Sequence, residues 1–542
     1  MHTRFLRHAG RNAICACGRN RVVLWMTFAL AGLWLFACAT VAAQLSPKQA
    51  GGKQIYTQGI GRSARPIEAV LGGGSSRIPG RLIPCTSCHG PDGQGRPEGG
   101  VTPSNIRWDM LVRPLTSGER LARQRPAYDL TSVRRAISEG VDPAGNELGL
   151  TMPRFVMSQY DMDSLIAYLH LLGKEADPGL ENDSIRIGTV IPEDGAMAAT
   201  GSSFAGLLQA YFDDMNRQGG IYGRKIEFSI LRATGNPYEV AALASSFVSS
   251  KRIFALVGLL PPMTEQAVDD ALQRAGVPVI TPFASGNDGD ESSDKSEVFH
   301  LLSGLSQQTR VLVRFAREQF DGKRASVAVV FPDNDQQLAD TVLQECHAQA
   351  FASVIPMKYS NLPAEAGRMV DSLHKAAVDG ILFLGNGREL RELLLSAKEL
   401  NWSPLVFQPG ALAGGKVFDL PEEFSGRVYF SFPSLPSDIA AGSRNEYEEL
   451  IREHGLKVTQ PLLSASELAT AKVLTEALRQ AGRQLSRQKL IAALSAMYNF
   501  ETGLTPPVTF GTTRRIGALG SYVMKLDLKN NTLLPAAEWM AP

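Results

Sequence analysis

Two textures of apolar and polar positions divide this chain. Between 158 and 172, Leu165, Ile166, Tyr168, Leu169 and Leu172 recur at helical spacing, with Asp161 as the expected N-cap and Gly173 as the stop. Two shorter helices are predicted over 53–57 and 132–139. Gly51 or Gly52 would let the first of them approach the 158–172 helix closely. A polar stretch over 175–183, with Pro178-Gly179 and several acidic residues, then reads as a linker over 175–184.

Beyond it, apolar runs of strand length alternate with amphipathic helices. Strands are predicted at 185–191, 225–231, 254–258 and 277–280. A helix over 202–218 buries Phe204, Leu207, Leu208, Tyr211 and Met215 and stops at Gly219-Gly220, and another runs over 237–249. The rhythm restarts at 327–331 and 380–384. Continuous apolar strands separated by helices are the pattern of parallel sheets covered on both faces, so two doubly wound lobes are expected.

A length of 542 residues suits three or four domains, and 44% hydrophobic content is ordinary for a globular protein. A net charge of +1 gives no polyelectrolyte field, which argues against a nucleic-acid partner. Neither a Walker A motif nor a dinucleotide fingerprint opening a βαβ unit is present.

The candidate chemistry lies in Cys85-Thr86-Ser87-Cys88-His89. Two thiols at this spacing followed at once by an imidazole suit covalent haem attachment. Each thiol adds to a vinyl group, and the adjacent ring is held under the iron. A zinc site would want two further ligands close by, and a thioredoxin-like pair would want a βαβ setting; the surroundings are instead Gly- and Pro-rich. A second axial ligand must come from well downstream. Met152 is preferred because Pro153 keeps it out of a helix, with Met157 and Met162 as rivals and Met110 more remote.

Arg4, Arg7, Arg11, Arg19 and Arg21 precede an uncharged apolar stretch over 22–43 that ends in Val41-Ala42-Ala43. The expectation is a signal peptide over 1–43, with a retained membrane anchor as an alternative because the stretch is long. Leu35-Phe36-Ala37-Cys38 loosely resembles a lipoprotein box. Each outcome exports the chain, and haem attachment to exported protein makes the bacterial periplasm the natural compartment. Of the six cysteines, only Cys346 lies outside this leader and the haem pair, and Cys346-His347 reads as structural.

The first part resembles class I cytochromes c. Gly51-x-x-x-Ile55-Tyr56, Cys85-x-x-Cys88-His89-Gly90-x-Asp92-Gly93-x-Gly95, Arg125-Pro126-x-Tyr128-Asp129, Ala136-Ile137-x-x-Gly140-Val141-Asp142-x-x-Gly145 and Met152-Pro153-Arg154-Phe155 follow that family's order. The resemblance implies an all-α cytochrome c domain over 51–174 with one covalently attached haem c. Cys85 and Cys88 would hold it covalently, with His89 and Met152 as axial ligands. It also implies the Pro91 carbonyl as the group orienting His89, and Trp108, Tyr128 and Arg107 as haem-lining or propionate-holding residues.

The second part resembles type I periplasmic binding proteins, in particular the branched-chain amino acid receptors of ABC importers. Ile187-Gly188, Gly201, Asn216-x-x-Gly219-Gly220-Ile221-x-Gly223-Arg224-Lys225-Ile226, Val257-Gly258, Val277-Pro278-Val279-Ile280-Thr281-Pro282, Tyr447, Gly455 and Ala477-Leu478-x-x-Ala481-Gly482 carry it. It implies a two-lobed α/β fold over 185–542 with doubly wound parallel sheets. One lobe would take 185–304 and 431–505, the other 305–430 and 510–542. A small organic ligand would sit between them, near Thr264 and Ser285. Pro261-Pro262 and Gln408-Pro409-Gly410 depart from the family's carboxylate- and ammonium-holding groups, which argues against a free amino acid.

The combined expectation is an exported one-electron carrier, not an enzyme. It would be tied either to ligand sensing or to a redox partner such as a periplasmic dehydrogenase or another cytochrome. The alternative is an ABC importer receptor, partnered by a permease, with an accessory cytochrome.

Overall fold

The computed structural model describes residues 45–542 apart from 72–75, 91, 96–99, 116–123, 175, 196, 259–265, 285–296 and 321–323. The leader over 1–43 lies outside the described residues. The chain divides into two compact units, one ending at residue 175 and the other spanning Ala176–Pro542.

In the first unit, helix Pro47–Gln58 starts at a Ser46–Gln49 capping box and stops at Gly59, whose φ is +67°. It packs against helix Gln159–Leu169. Gly52 makes this contact possible, because a Cβ there would lie 1.9 Å from the Ser164 carbonyl oxygen. At Gly51 the nearest atom would be the flexible Arg62 Cδ at 3.4 Å. Gly52→Ala is therefore expected to cost about 3 kcal/mol by forcing backbones apart, and Gly51→Ala under about 1 kcal/mol. Melting of the two full-length variants checks this contrast. Ser158, not Asp161, caps the second helix, because its hydroxyl accepts from the Asp161 amide at 3.1 Å. Asp161 is buried and serves a distant loop instead, accepting from the Arg62 amide at 3.0 Å and from Ser63. A three-residue-deep antiparallel sheet joins the helices: β1 (Glu68–Val70) lies between β2 (Arg77–Pro79) and β3 (Arg154–Val156).

The second unit holds two sheets. The first is wholly parallel and contains β4 (Ser184–Pro192), β5 (Lys225–Ala233), β6 (Ala255–Val257), β7 (Val279–Phe283), β8 (Val298–Leu302) and, later, β14 (Ile516–Ala518). Their spatial order is β14-β8-β7-β6-β4-β5. The other contains β9 (Ser326–Pro332), β10 (Ser353–Tyr359), β11 (Gly380–Phe383), β12 (Leu405–Pro409), β13 (Val428–Phe432), β15 (Ser521–Asp527) and β16 (Thr532–Met540). Its order is β10-β9-β11-β12-β13-β15-β16, with β15 and β16 antiparallel to their neighbours. The last crossing between sheets falls at 519–520, not near 510. There Ser303 Oγ bridges the Ala518 carbonyl and the Gly520 amide.

The stretch expected as a linker is docked on this unit from Asp177 onward. Asp177 accepts from the Arg487 amide at 2.6 Å, and Leu180 is buried in the core. The Arg487 guanidinium donates to the carbonyls of Ile253, Phe254 and Gly276. Cys346 is fully buried, and that burial pushes its thiol up to about 12, in keeping with a structural role.

Candidate functional site

Cys85, Cys88 and His89 share one tight turn, in which residues 86–89 are helical and the His89 amide donates to the Cys85 carbonyl at 2.9 Å. That turn is anchored from behind. The buried Tyr56 hydroxyl donates to the Gly90 carbonyl at 2.6 Å, tying it to the first helix. The chain then loops back: the Gly95 amide reaches the His89 carbonyl at 2.9 Å and the Ile106 amide the Gly93 carbonyl at 2.8 Å. Gly93 and Gly95 both have positive φ, and a Cβ on Gly93 would lie 2.4 Å from Leu172.

This loop brings the Ser104 carbonyl to 2.9 Å from His89 Nδ1. A carbonyl oxygen only accepts, so Nδ1 carries the proton and Nε2 keeps its lone pair. Burial lowers the His89 pKa, against the effect of the Ser104 bond, and favours the neutral ring. Pro91, expected to orient this ring, lies outside the described residues; the Ser104 carbonyl occupies that position on Nδ1. Sequence offers no signal for it, because the group is main chain.

Cys85, Trp108, Tyr128, Met152 and Met157 are half-covered and line the edge of one core, whereas Met162 is buried inside it. Trp108 stacks on His170 with ring centroids 3.5 Å apart, and Tyr128 lies under the Arg125 guanidinium at 4.5 Å. Arg107 Nη2 donates to the Gly173 carbonyl, while Nε is buried without a partner among the described residues. The Met152 loop is braced. Arg154 donates to the Met152 carbonyl and, at 2.9 Å, to the Leu148 carbonyl. The buried Asp142 carboxylate collects the amides of Ala144 and Asn146.

An apolar rim, paired thiols and a ring nitrogen kept free fit a covalently held haem. Met152→Ala is expected to lower the reduction potential and open the iron to carbon monoxide in the reduced protein, while Met157→Ala does neither. Potentiometry and difference spectra on the two variants decide between these thioethers.

In the second unit, Thr264 and Ser285 lie outside the described residues. At the carboxyl ends of the first sheet's strands, Thr189 Oγ1 donates to the Gly258 carbonyl at 3.3 Å. In the second sheet Gln408 Nε2 donates to the Gly385 carbonyl at 2.7 Å.

Comparison with known proteins divides the chain in the same way. The family described as "Cytochrome c" matches residues 84–173, and that described as "Periplasmic binding protein" matches 184–532. The "Leu/Ile/Val-binding protein BraC3" of Rhizobium johnstonii is 21% identical over 334 residues, 62% of this chain and 89% of that protein. The "Leucine-, isoleucine-, valine-, threonine-, and alanine-binding protein" of Pseudomonas aeruginosa is 24% identical over 46% of this chain and 67% of its own length. Among solved structures, the branched-chain amino acid transporter substrate binding protein of Streptococcus pneumoniae, in complex with isoleucine, aligns with a TM-score of 0.51 at 19% identity, over 66% of this chain and 100% of that one. A fatty acid ABC transporter substrate-binding protein from Thermomonospora curvata gives 0.52 at 17%, over 68% and 95%. At such identities these two structures share the fold.

Proposed function

This chain belongs to the periplasmic binding protein family and carries a cytochrome c domain ahead of the family region, and from that premise we propose that it is an exported one-electron carrier with a solute-binding unit. The observation that carries the redox half is the His89 ring, fixed at Nδ1 by Ser104 and free at Nε2, on the same turn as both cysteines. Cys85 and Cys88 would hold one haem covalently, with His89 and Met152 as its axial ligands. Bound haem would supply reversible one-electron chemistry, and if His89 and Met152 both held the iron the unit would suit a carrier and not an enzyme. The chain's own residues do the rest. Ser104 orients the imidazole and Arg154 holds the Met152 loop.

The solute half rests on the two-sheet architecture, because in open parallel sheets ligands bind outside the carboxyl ends of the strands. A small organic molecule bound there would either tune the haem or signal to a periplasmic redox partner, a dehydrogenase or another cytochrome. A second reading, an importer receptor that hands solute to an ABC permease, is supported by the 89% coverage of a Leu/Ile/Val-binding protein.

Thermal melting of the full-length haem protein against branched-chain amino acids, amines, amides, alcohols and aromatic acids tests the solute half. A ligand at a hundredfold its Kd stabilises by about 2.7 kcal/mol. Potentiometry with and without that ligand then separates the two readings. A shifted potential supports coupling, an unchanged one favours the receptor, and no ligand at all removes the solute-binding role.

A further inference from the structure

The cytochrome c family region begins at residue 84, and the stretch over 59–83 lies ahead of it. The two ends of this stretch close on each other. A Cβ on Gly59 would lie 2.1 Å from the Gly80 carbonyl oxygen. The chain could therefore pass from helix Pro47–Gln58 to the cysteine turn without the excursion between them, which carries β1 and β2.

The excursion is built onto the limb that follows Met152. β1 pairs with β3 in the register Val70↔Arg154, Ala69↔Phe155 and Glu68↔Val156, so the pairing starts two residues after Met152. Arg154, whose side chain holds the Met152 carbonyl, sits in that pairing. Farther along, the Asp161 carboxylate has no exposed surface. It accepts from the Arg62 amide at 3.0 Å, the Ser63 amide at 3.4 Å, the Ser63 hydroxyl and, at 2.8 Å, the Ser158 hydroxyl. All but the last come from the excursion. Gly61 passes so close that a Cβ there would lie 2.7 Å from Asp161 Cγ. Burial raises the acid, but these hydrogen bonds outweigh it and hold the carboxyl below its ordinary range. A carboxylate is the form that accepts from four donors. The limb over 154–161 is thus fastened to the excursion at both ends.

We propose that the 59–83 excursion is a clasp that keeps the Met152 thioether in place, and that Asp161 is its positioning residue. This rests on the axial role assigned to Met152 above. An incoming ligand such as imidazole binds only in molecules whose thioether has swung away, so its apparent affinity is proportional to the population of that open state. Loosening the clasp raises this population and leaves the His89 side of the site alone. A contact that merely stabilised the fold would change melting and not this affinity.

The test is titration of the oxidised full-length haem protein with imidazole at pH 7, followed by absorbance. Asp161→Ala is expected to raise the apparent affinity about tenfold or more, and Ser63→Ala, which removes one donor, about threefold. Asp161→Asn keeps an acceptor for the Arg62 amide and should fall between wild type and Asp161→Ala. Without imidazole the low-spin spectra of all three should match wild type. An affinity in Asp161→Ala within about twofold of wild type overturns the assignment, even if that variant melts lower. If Asp161→Ala yields no haem-loaded protein, Ser63→Ala decides, and an unchanged affinity there overturns it. Met152→Ala separates the two claims, since it should bind imidazole more tightly than any clasp variant. If it binds as wild type does, the axial role of Met152 falls and the clasp with it. If it binds tightly while Asp161→Ala does not, the clasp alone falls.

Discussion

Replacing His89 with Ala is expected to abolish the low-spin haem spectrum altogether and to cut the yield of haem-loaded protein many-fold. The ring is only 7% exposed, and it is the group that the Ser104 carbonyl, the Gly95 amide and the Tyr56 hydroxyl jointly fix, two of them through the adjacent main chain. Removing it leaves a ring-sized cavity behind a turn that is otherwise intact. Added imidazole should therefore restore the low-spin spectrum in part, and the first unit should still melt cooperatively, which an unfolded unit could not do. The rival ligand is His170, the one other histidine described in this unit, but its ring is occupied against Trp108. A His89→Ala protein with wild-type spectra in both redox states would hand the role to His170. His170→Ala is expected to leave the spectra unchanged.

The second large effect is a pH dependence of stability set by Glu467. Burial raises this acid from its ordinary 4.5 to about 8. The folded chain thus holds a proton that the unfolded chain releases. Stability from this group is fully present below about pH 4.5 and is lost progressively as pH rises through 8. The full difference is about 5 kcal/mol, since each pKa unit is worth about 1.4 kcal/mol. Glu227 works the other way, because its hydrogen bond to Arg186 holds it below the usual range, so its contribution is lost only in acid. Calorimetric melting of the full-length protein between pH 5 and 9 should show the decline, and Glu467→Gln should flatten it. A slope that is identical in the two proteins would contradict the burial of this carboxyl.

What the sequence made legible follows from the range of each interaction. The turn that carries Cys85, Cys88 and His89 spans only five residues, so their juxtaposition is legible unaided. The strands of the binding unit are legible because parallel strands buried on both faces read as unbroken apolar runs, as in Ile185 to Ile191. Asp161 misled because it has the chemistry of a cap, while its carboxylate is claimed by Arg62 and Ser63 across the crossing helices. Ser104 acts through its carbonyl, which any residue would supply. The late crossing at 519–520 depends on Ser303, far away in sequence. Glu467 did leave a trace: it is the one acidic residue in a run of small and apolar residues from Leu462 to Ala471. Only the fold shows that this run is buried and that Gly258 makes room for the acid.

The account turns on a haem bound covalently to the first unit. The intact mass of the chain, produced with working c-type maturation machinery and measured under denaturing conditions, tests this most directly. One haem added to the polypeptide mass, lost in a Cys85→Ala/Cys88→Ala variant, is the predicted result. An unmodified polypeptide mass from colourless, folded protein would contradict it.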